Sequence, residues 1–288
     1  MKRDYVLEIV QVSSLDDHRL SAFRDIPDPI RLRELGNFVV EGRLAVRRLL
    51  AEEKFCIKSL LVTPTTLQAL NDFQSFDMPQ CPVYVTSRDM IKQIGGFDFH
   101  QGCLGLVERP SPKTVQTLLR LATFPKPIIV LEQIGNADNI GGIFRNSAAF
   151  GAAGILMSPG CCDPLYRKAI RTSIGTTLQI PYAVVEDWPA GLESLRRRGY
   201  DLVALTPDDD AICLNRFAFF KDGRSNALIL GNEGDGLSMP TLELVDARVR
   251  IPLEPVVDSL NVATTAAIAL CHLSRFDEAN ERLGAGNN

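Results

Sequence analysis

Residues 127–131 form an unbroken apolar run, Pro-Ile-Ile-Val-Leu, which constrains the fold more than any other stretch of the chain. A run without polar alternation is typical of a strand buried on both faces, as in parallel sheets that carry helices on each side. Further strands are predicted at residues 154–157, 201–205, 227–230 and 247–251, with helical patterns between most of them and a long helix beginning near Ser259. This alternation predicts an α/β domain with a parallel sheet.

The same alternation begins earlier in the chain, at residue 38. Strands are predicted at residues 38–40, 57–62, 83–86 and 104–107, and helices at residues 43–51, 66–73 and 88–94. Prolines at positions 110, 112, 125 and 127 flank a helix predicted at residues 115–121, which is typical of a connection. We therefore expect a smaller N-terminal α/β domain over residues 1–110, a linker over residues 111–126, a second domain over residues 127–278 and a flexible tail over residues 279–288.

Length and composition narrow the kind of protein. The 288 residues suffice for two domains, and they contain neither a run of about 18 apolar residues nor a signal-peptide core, so we expect a cytoplasmic protein without a membrane span. Seven cysteines without a Cys-x-x-Cys pair favour buried free thiols over a disulfide framework or a zinc site. The adjacent pair Cys161 and Cys162 is interpreted as loop packing rather than redox chemistry.

Charge alone does not indicate a nucleic-acid partner, since the formal net charge is −4 and the pI is near 5.5. The basic residues are nevertheless clustered. Arg43 opens one basic segment, and Arg167, Lys168 and Arg171 lie in another. A solvated helix face explains each cluster by itself, so a role in RNA contact depends on other features of the sequence.

Three segments of the second half carry residues suited to a ligand site. The first, residues 136–146, reads Asn-Ala-Asp-Asn-Ile-Gly-Gly-Ile-Phe-Arg-Asn and follows the strand at residues 127–131, so it predicts a polar turn that opens a helix. Such a turn presents backbone N–H groups at the carboxyl edge of a sheet, where open α/β sheets bind their ligands. A helix cap by Asp138 or Asn139, with Arg145 exposed, explains this segment equally well.

The other two segments also follow predicted strands. Residues 231–237 place three glycines around Glu233, which lets a ligand approach the backbone, although a simple glycine-rich turn is the alternative. Residues 251–262 end a strand and start the final helix, with Ser259 as its candidate N-cap. The dinucleotide fingerprint Gly-x-Gly-x-x-Gly and the phosphate loop ending in Gly-Lys-Ser/Thr are absent from the sequence, which argues against a dehydrogenase of doubly wound fold.

Together the three segments resemble the motifs of the SpoU/TrmH family of RNA 2′-O-ribose methyltransferases, in the SPOUT superfamily. The family pattern Asn-x-Gly-x-x-x-Arg is met by Asn139, Gly141 and Arg145, the pattern Gly-x-Glu-x-x-Gly-Leu by Gly231, Glu233, Gly236 and Leu237, and the pattern Ser-Leu-Asn-Val by residues 259–262. Order and spacing both fit, and the resemblance covers residues 127–275.

The N-terminal part resembles the family less specifically. Residues 38–43 are similar to the opening of the small substrate-binding domain that many members carry, which is like ribosomal-protein RNA-binding folds. Residues 96–102 resemble the turn before the last strand of that domain, with Gln101 where members often have arginine. The resemblance thus implies an RNA-binding α/β domain in front of the second domain.

The resemblance also implies a cofactor and an assembly. Members bind S-adenosylmethionine in a deep trefoil knot, which forms as the C-terminal chain passes through a loop, and two subunits pair through the knotted domains. The residues implied to contact the cofactor are Leu205, Gly231, Ile251 and Leu260. The reaction implies no metal.

The implied reaction is methyl transfer to a ribose 2′-hydroxyl of RNA, with Arg145 at its centre. Because a guanidinium pKa lies above about 12, we expect Arg145 to clamp a phosphate and stabilise the developing alkoxide rather than to abstract the proton. Asn139 is expected to orient Arg145 or the ribose, and Glu233 to hold its loop or contact the target nucleotide. Ser259 and Asn261 are expected to shape the site beside the cofactor.

The partner implied by the resemblance is RNA. Contacts are expected from Arg43 and, in the second domain, from Arg167, Lys168 and Arg171. Ribosomal RNA is favoured over transfer RNA because the N-terminal domain resembles an RNA-recognition module. The alternative is a non-catalytic RNA-binding or assembly protein that keeps the fold, and the retained motif residues weigh against it.

Overall fold

A computed structural model of the chain describes residues 8–24, 26, 28–71, 81–95, 102–122, 124–219 and 223–285. The chain divides into two compact units. The N-terminal unit comprises Met1–Ser111 and Pro164–Gln179, and the C-terminal unit comprises Pro112–Asp163 and Ile180–Asn288. This division differs from the predicted domains in two places. Residues 112–126, predicted as a linker, belong to the C-terminal unit, and residues 164–179, predicted within the second domain, belong to the N-terminal unit.

The N-terminal unit is built on a five-stranded mixed sheet. Its elements are β1 (Ile9–Gln11), α1 (Ser21–Arg24), α2 (Pro29–Glu34), β2 (Asn37–Glu41), α3 (Arg43–Leu50), β3 (Ile57–Val62), α4 (Pro64–Asn71), β4 (Val83–Val85), α5 (Arg88–Gly95) and β5 (Cys103–Glu108). The strand order is β1-β4-β3-β5-β2, in which β5 is antiparallel to both neighbours and the other pairs are parallel. Its core includes Leu61 and Leu104 of the sheet together with Leu20, Phe23 and Ile91.

The C-terminal unit is built on a seven-stranded sheet in which all neighbouring strands are parallel. The remaining elements of the chain are, in order, α6 (Val115–Leu121), β6 (Ile128–Leu131), α7 (Ala137–Ala149), β7 (Gly154–Met157), α8 (Arg167–Thr172), β8 (Tyr182–Val184), α9 (Glu193–Arg197), β9 (Tyr200–Leu205), β10 (Ile212–Cys213), β11 (Ser225–Leu230), α10 (Met239–Leu244), β12 (Ala247–Arg250) and α11 (Val262–Ala285). Of these, α8 belongs to the N-terminal unit. The strand order is β10-β12-β9-β11-β6-β7-β8, which confirms the predicted α/β class with a parallel sheet.

Strands β6 and β11 lie side by side in this sheet, and every residue of both is buried. On one face, Ile128 and Ile229 pack in a core cluster with Leu118 of α6. On the other face, Ile129 and Leu228 are equally inaccessible to solvent. Burial of both faces is what the apolar run at residues 127–131 predicts, and the buried side chain of Leu118 explains why the helix at residues 115–121 is part of the unit rather than a linker.

The parallel arrangement brings several loops to one edge of the sheet. Because β6, β9, β11 and β12 run in the same direction, their carboxyl ends lie at the same edge. The segments that leave this edge are residues 132–136, 206–211, 231–238 and 251–261. Open α/β sheets bind ligands at this edge, so the fold gathers the three motif segments where a site is expected.

Several helix and strand boundaries differ from the predictions. Helix α11 begins at Val262 rather than near Ser259, and it continues through Ala285, so residues 279–285 are helical where a flexible tail was predicted. Strands β8 and β10 were not predicted. The predicted turn at residues 96–102, with Gln101, lies outside the described residues except for Gly102. Neither α11 nor any other described helix is long and apolar enough to cross a membrane.

All seven cysteines are free thiols, and they differ widely in exposure. Cys81 and Cys103 are buried, Cys56 is exposed, and the others are partly buried, so fewer are buried than predicted. Burial raises the pKa of the Cys81 thiol to about 11 and that of the Cys103 thiol to about 12. Burial also raises the pKa of Cys161, which agrees with a packing role for the adjacent pair.

Candidate active site

A cavity of about 500 Å³ opens at the carboxyl edge of the parallel sheet. It is lined by the ends of β9, β11 and β12 and by the loops that follow them. The residues that line it include all four positions implied to contact the cofactor, namely Leu205, Gly231, Ile251 and Leu260. Glu233 and Ser259 also line it, whereas Asn139, Arg145 and Asn261 do not. The structure therefore brings residues from the second and third motif segments into one cavity.

The walls of this cavity are apolar and acidic. Leucine, isoleucine and valine side chains line it, and four carboxylates, those of Asp208, Glu233, Asp235 and Asp258, lie among them. Within the described residues, no group of three or more His, Cys, Asp or Glu side chains could hold a metal ion. A cavity with apolar walls and only acidic charges favours a ligand that is partly apolar and carries positive charge.

The loop at residues 231–237 folds back closely on itself, and the Asn232 side chain binds its backbone. A Cβ atom on Gly231 would lie 2.2 Å from the carbonyl oxygen of Gly236 and 2.6 Å from the backbone nitrogen of Leu237. The Asn232 side-chain oxygen accepts hydrogen bonds from the N–H groups of Gly234 at 2.8 Å and Asp235 at 2.7 Å. Glycine at position 231 is therefore required by the close approach of the loop to itself, which the sequence interpretation attributed to a ligand.

A side-chain hydrogen bond joins the first and third motif segments. Asn261 donates from Nδ2 to Oδ1 of Asn139 at 2.9 Å. The Oδ1 atom of Asn261 accepts from the N–H of Ala263 at 2.9 Å, so Asn261, and not Ser259, caps α11. Likewise Asn136 caps α7 by accepting from the N–H of Asp138, where a cap by Asp138 or Asn139 was considered.

Helices α7 and α11 also approach each other closely. A Cβ atom on Gly142 would lie 2.9 Å from the Cβ of Ala263, so a larger residue at position 142 would push the helices apart. One turn further along α7, Asn146 donates to the carbonyl oxygen of Ala263 at 2.7 Å. The second glycine of the Gly-Gly pair, next to the motif glycine Gly141, is thus the one that permits the close contact.

Arg145 lies in the latter half of α7 with its side chain exposed. Within the described residues, no hydrogen bond or ion pair engages its guanidinium, and none joins it to Asn139. Asn139 is instead buried and tied to Asn261. A free, exposed guanidinium is suited to an anionic group from outside the chain, such as a phosphate.

Glu132 is a buried carboxylate that the sequence interpretation did not single out. It follows β6 directly and is 2% exposed. Its Oε1 accepts from Trp188 Nε1 at 2.9 Å and Ser238 Oγ at 2.6 Å, and its Oε2 accepts from the Ser238 N–H at 3.1 Å. Thr241 Oγ1 lies 3.1 Å from Oε1 as a further donor. A charged residue that ends an apolar strand is the sequence signal that could have drawn attention to it.

The residues predicted to contact RNA all lie in the N-terminal unit, including the three that were predicted in the second domain. Arg167 of α8 is mostly buried and pairs with Glu41 of β2 at 2.5 Å. Arg43 and Arg171 are exposed, and Lys168 is partly buried. Arg171 makes no hydrogen bond or ion pair with any described residue. Arg167 therefore has a structural role within this unit, whereas Arg171 is available to a partner.

The fold and the cavity together define a class of protein. It is an α/β protein with a ligand cavity at the carboxyl edge of a parallel sheet, formed by motif loops, and with an exposed arginine on α7 outside the cavity lining. Residues 126–271 of the chain match the model of the SpoU rRNA Methylase family, which spans about half of the chain.

Curated relatives match nearly the whole chain. A protein of Mycobacterium tuberculosis (strain H37Rv), named an uncharacterized tRNA/rRNA methyltransferase, is 36% identical over 274 residues, which cover 93% of this chain and 93% of that protein. The 23S rRNA (guanosine(2553)-2′-O)-methyltransferase of Bacillus subtilis is 25% identical over 263 residues, which cover 91% of this chain and 98% of that protein. The chain therefore belongs to the SpoU rRNA methylase family, which confirms the resemblance found in the three motif segments.

A solved structure supports the same fold. The AdoMet-bound rRNA methyltransferase from Sinorhizobium meliloti has a TM-score of 0.77 and 23% sequence identity, and the match covers 93% of this chain and 98% of that one. At this identity the likeness concerns the fold. By family, the protein is an RNA methyltransferase.

Proposed function

We propose that this protein transfers a methyl group from S-adenosylmethionine to a ribose 2′-hydroxyl of RNA, and that its substrate is ribosomal RNA. The observation that carries the proposal is the cavity at the sheet edge, because its lining includes all four residues implied for the cofactor from the sequence alone. The name of the Bacillus subtilis relative, a 23S rRNA 2′-O-methyltransferase, supports the ribose and the ribosomal substrate.

The cavity fits the proposed cofactor in size and charge. Its volume of about 500 Å³ is within the range of small-molecule sites. S-adenosylmethionine carries two positive groups, the sulfonium and the ammonium, which the four lining carboxylates would attract. The apolar side chains of Leu205, Ile251 and Leu260 offer contact area for the adenine ring. A dinucleotide, with its negative pyrophosphate, is disfavoured by the same carboxylates.

The chain's own residues have separate tasks in this proposal. The cofactor supplies a methyl group on a positively charged sulfur. Arg145 clamps an RNA phosphate and stabilises the negative charge that develops on the ribose oxygen while the hydroxyl proton passes to solvent water, because a guanidinium is itself a poor base. The bond between Asn139 and Asn261 keeps the start of α7 in register with the start of α11. Glu233 and Ser259 shape the cavity beside the cofactor.

RNA is proposed to contact the exposed basic residues of the N-terminal unit. Arg43 and Arg171 are exposed, and Lys168 lies on the same short helix as Arg171. Arg167 is left out of this surface because it pairs with the buried Glu41. Contacts of this kind hold the phosphate backbone in place and carry little sequence information, so we expect them to affect affinity more than the choice of nucleotide.

Two features of the assembly are also proposed. The C-terminal chain forms a trefoil knot, and two copies of the protein pair through the C-terminal unit. The family resemblance supports both, and the close contact between α7 and α11 at Gly142 and Ala263 agrees with a tightly packed C-terminal segment. Light scattering of the purified protein tests the pairing, because the account expects twice the 31.7 kDa mass of one chain.

Transfer of a labelled methyl group tests the function. The purified protein is incubated with methyl-labelled S-adenosylmethionine and total RNA from a strain that lacks it. We expect incorporation by the wild type and its loss in Arg145→Ala. The matched control is Arg197→Ala, which removes another exposed arginine of the C-terminal unit and is expected to retain full incorporation. A protein that binds RNA but neither binds nor uses the cofactor would instead be the non-catalytic alternative.

A further inference from the structure

We propose that Glu132 is a positioning residue of the active site, whose carboxylate fixes the loop at residues 231–237 and thereby the shape of the cofactor cavity. Glu132 is not one of the motif residues and does not line the cavity. Its part in cofactor binding rests on the function proposed above, whereas its hold on the loop does not.

Glu132 contacts the chain on both sides of the loop. Its backbone N–H donates to the carbonyl oxygen of Leu230 at 2.9 Å, directly before the loop. Its carboxylate accepts from both the N–H and the hydroxyl of Ser238, directly after the loop. A single residue therefore sets the distance between the two ends of the loop, and the closed form of the loop is further secured by the N–H of Gly236, which donates to Asn232 at 3.2 Å.

The carboxylate tolerates little movement of the loop. It is almost completely buried, and within the described residues its bonding partners are N–H and O–H groups without a cation. A buried charge is stable only while such donors stay in place. Displacement of Ser238 would remove two of them at once, so the closed position of the loop is strongly favoured.

The loop, in turn, forms one wall of the cavity. Leu230, which receives the N–H of Glu132, lines the cavity, as do all seven residues of the loop, including Glu233. A shift at Ser238 is therefore transmitted to this wall through a short and tightly bonded segment. Weaker closure lowers the fraction of molecules able to bind, and the measured affinity falls by the same factor.

The two sides of the carboxylate supply a matched pair of variants. Ser238→Ala removes the hydroxyl donor on the loop side, and Trp188→Phe removes the indole donor on the other side, so each deletes one hydrogen bond to the same oxygen. Glu132→Gln is expected to act more strongly. If the amide oxygen takes the place of Oε1, the NH₂ group faces the Ser238 N–H, and two hydrogen-bond donors then point at each other. Should Glu132→Gln not fold, the matched pair still tests the proposal.

Hydrogen exchange of the ligand-free protein is the first measurement. For the peptide that covers residues 231–238, we expect exchange to become about tenfold faster in Glu132→Gln and clearly faster in Ser238→Ala, with Trp188→Phe within about twofold of the wild type. The proposal would be overturned if this peptide exchanged at the wild-type rate in both Glu132→Gln and Ser238→Ala. It would also be overturned if Trp188→Phe accelerated the exchange as much as these two variants do.

Titration with S-adenosylmethionine is the second measurement. We expect the Kd to rise about tenfold in Glu132→Gln and to stay within about twofold in Trp188→Phe, although both lower the stability of the fold. If Glu132→Gln and Trp188→Phe changed the Kd equally, Glu132 would stabilise the fold without positioning the cofactor cavity. Failure of the wild type to bind the cofactor would refute the proposed function, and the exchange experiment would still decide whether Glu132 holds the loop.

Discussion

Replacement of Gly231 by alanine is predicted to open the loop at residues 231–237 and to abolish most cofactor affinity. The added Cβ would lie 2.2 Å from the carbonyl oxygen of Gly236 and 2.3 Å from its carbonyl carbon. Carbon and oxygen atoms in favourable contact are about 3.5 Å apart, so the added Cβ would be roughly 1.3 Å too close to the oxygen. Both atoms are backbone, and the clash cannot be relieved by a side-chain rotation.

The size of the effect follows from what the open loop loses. Opening breaks the hydrogen bond from the Gly236 N–H to the Asn232 carbonyl oxygen, at about 1 kcal/mol, so the free energy of unfolding falls by about 1 kcal/mol. Closing the loop around a ligand against the clash costs about 3 kcal/mol more, which weakens the affinity on the order of a hundredfold. Urea denaturation and calorimetric titration with S-adenosylmethionine measure the two quantities.

Two other glycines of the same loop serve as controls for the steric clash at position 231. A Cβ on Gly234 meets only the Asn232 side-chain oxygen, at 3.5 Å, so Gly234→Ala is predicted to keep wild-type affinity. Gly236 has φ +69 and open space around it, so Gly236→Ala costs about 1–2 kcal/mol of backbone strain without a clash. If Gly231→Ala binds the cofactor within about threefold of the wild type, or if Gly234→Ala binds it as weakly as Gly231→Ala, the clash at position 231 does not control cofactor affinity.

Three further variants test separate parts of the account. Asn261→Ala removes the cap of α11 and the bond to Asn139, so urea denaturation should show a loss of about 1–2 kcal/mol and methyl transfer should fall. Arg167→Ala leaves the Glu41 carboxylate buried without its partner, and a loss of about 3 kcal/mol is expected; unchanged stability would mean that the pair is not structural. Arg171→Glu should leave stability within about 0.5 kcal/mol but weaken RNA binding and lower its salt dependence, and unchanged RNA affinity would remove Arg171 from the proposed contact surface.

The strands that the sequence predicts well are those at the centre of the parallel sheet. Strand β6 is apolar at every position because both of its faces are covered, and the pattern is therefore visible without any knowledge of its neighbours. Strands β8 and β10 lie at the two edges of the sheet and have three and two residues, with partly exposed side chains. Segments this short show no period-2 pattern, so their pairing partners decide their structure.

The resemblance to the family grouped Leu205, Gly231, Ile251 and Leu260, and all four line one cavity. Asn139, Arg145 and Asn261, which the resemblance also placed at the site, do not line that cavity. The caps considered from the sequence, Asp138 or Asn139 for α7 and Ser259 for α11, are not the ones observed. Local rules also do not show that the buried Asn139 is tied to Asn261, 122 positions away.

The largest differences between the predictions and the structure involve contacts between residues that are far apart in the sequence. Arg167 lies 126 positions from Glu41, and their ion pair is one of the contacts between residues 164–179 and the rest of the N-terminal unit. Glu132 lies 106 positions from Ser238, so its hold on the loop is invisible in either segment alone. Neither contact can be predicted from the residues near it in the sequence.

The chemical position of the transferred methyl group shows whether the protein methylates the ribose of ribosomal RNA. Ribosomal and transfer RNA are purified separately from a strain that lacks the protein, labelled with the enzyme and methyl-labelled S-adenosylmethionine, and hydrolysed with alkali. A 2′-O-methyl group blocks cleavage of the next phosphodiester bond, so the account predicts label in alkali-resistant dinucleotides from the ribosomal fraction, and none with Arg145→Ala. Label in alkali-released mononucleotides would place the methyl group on a base and contradict the account.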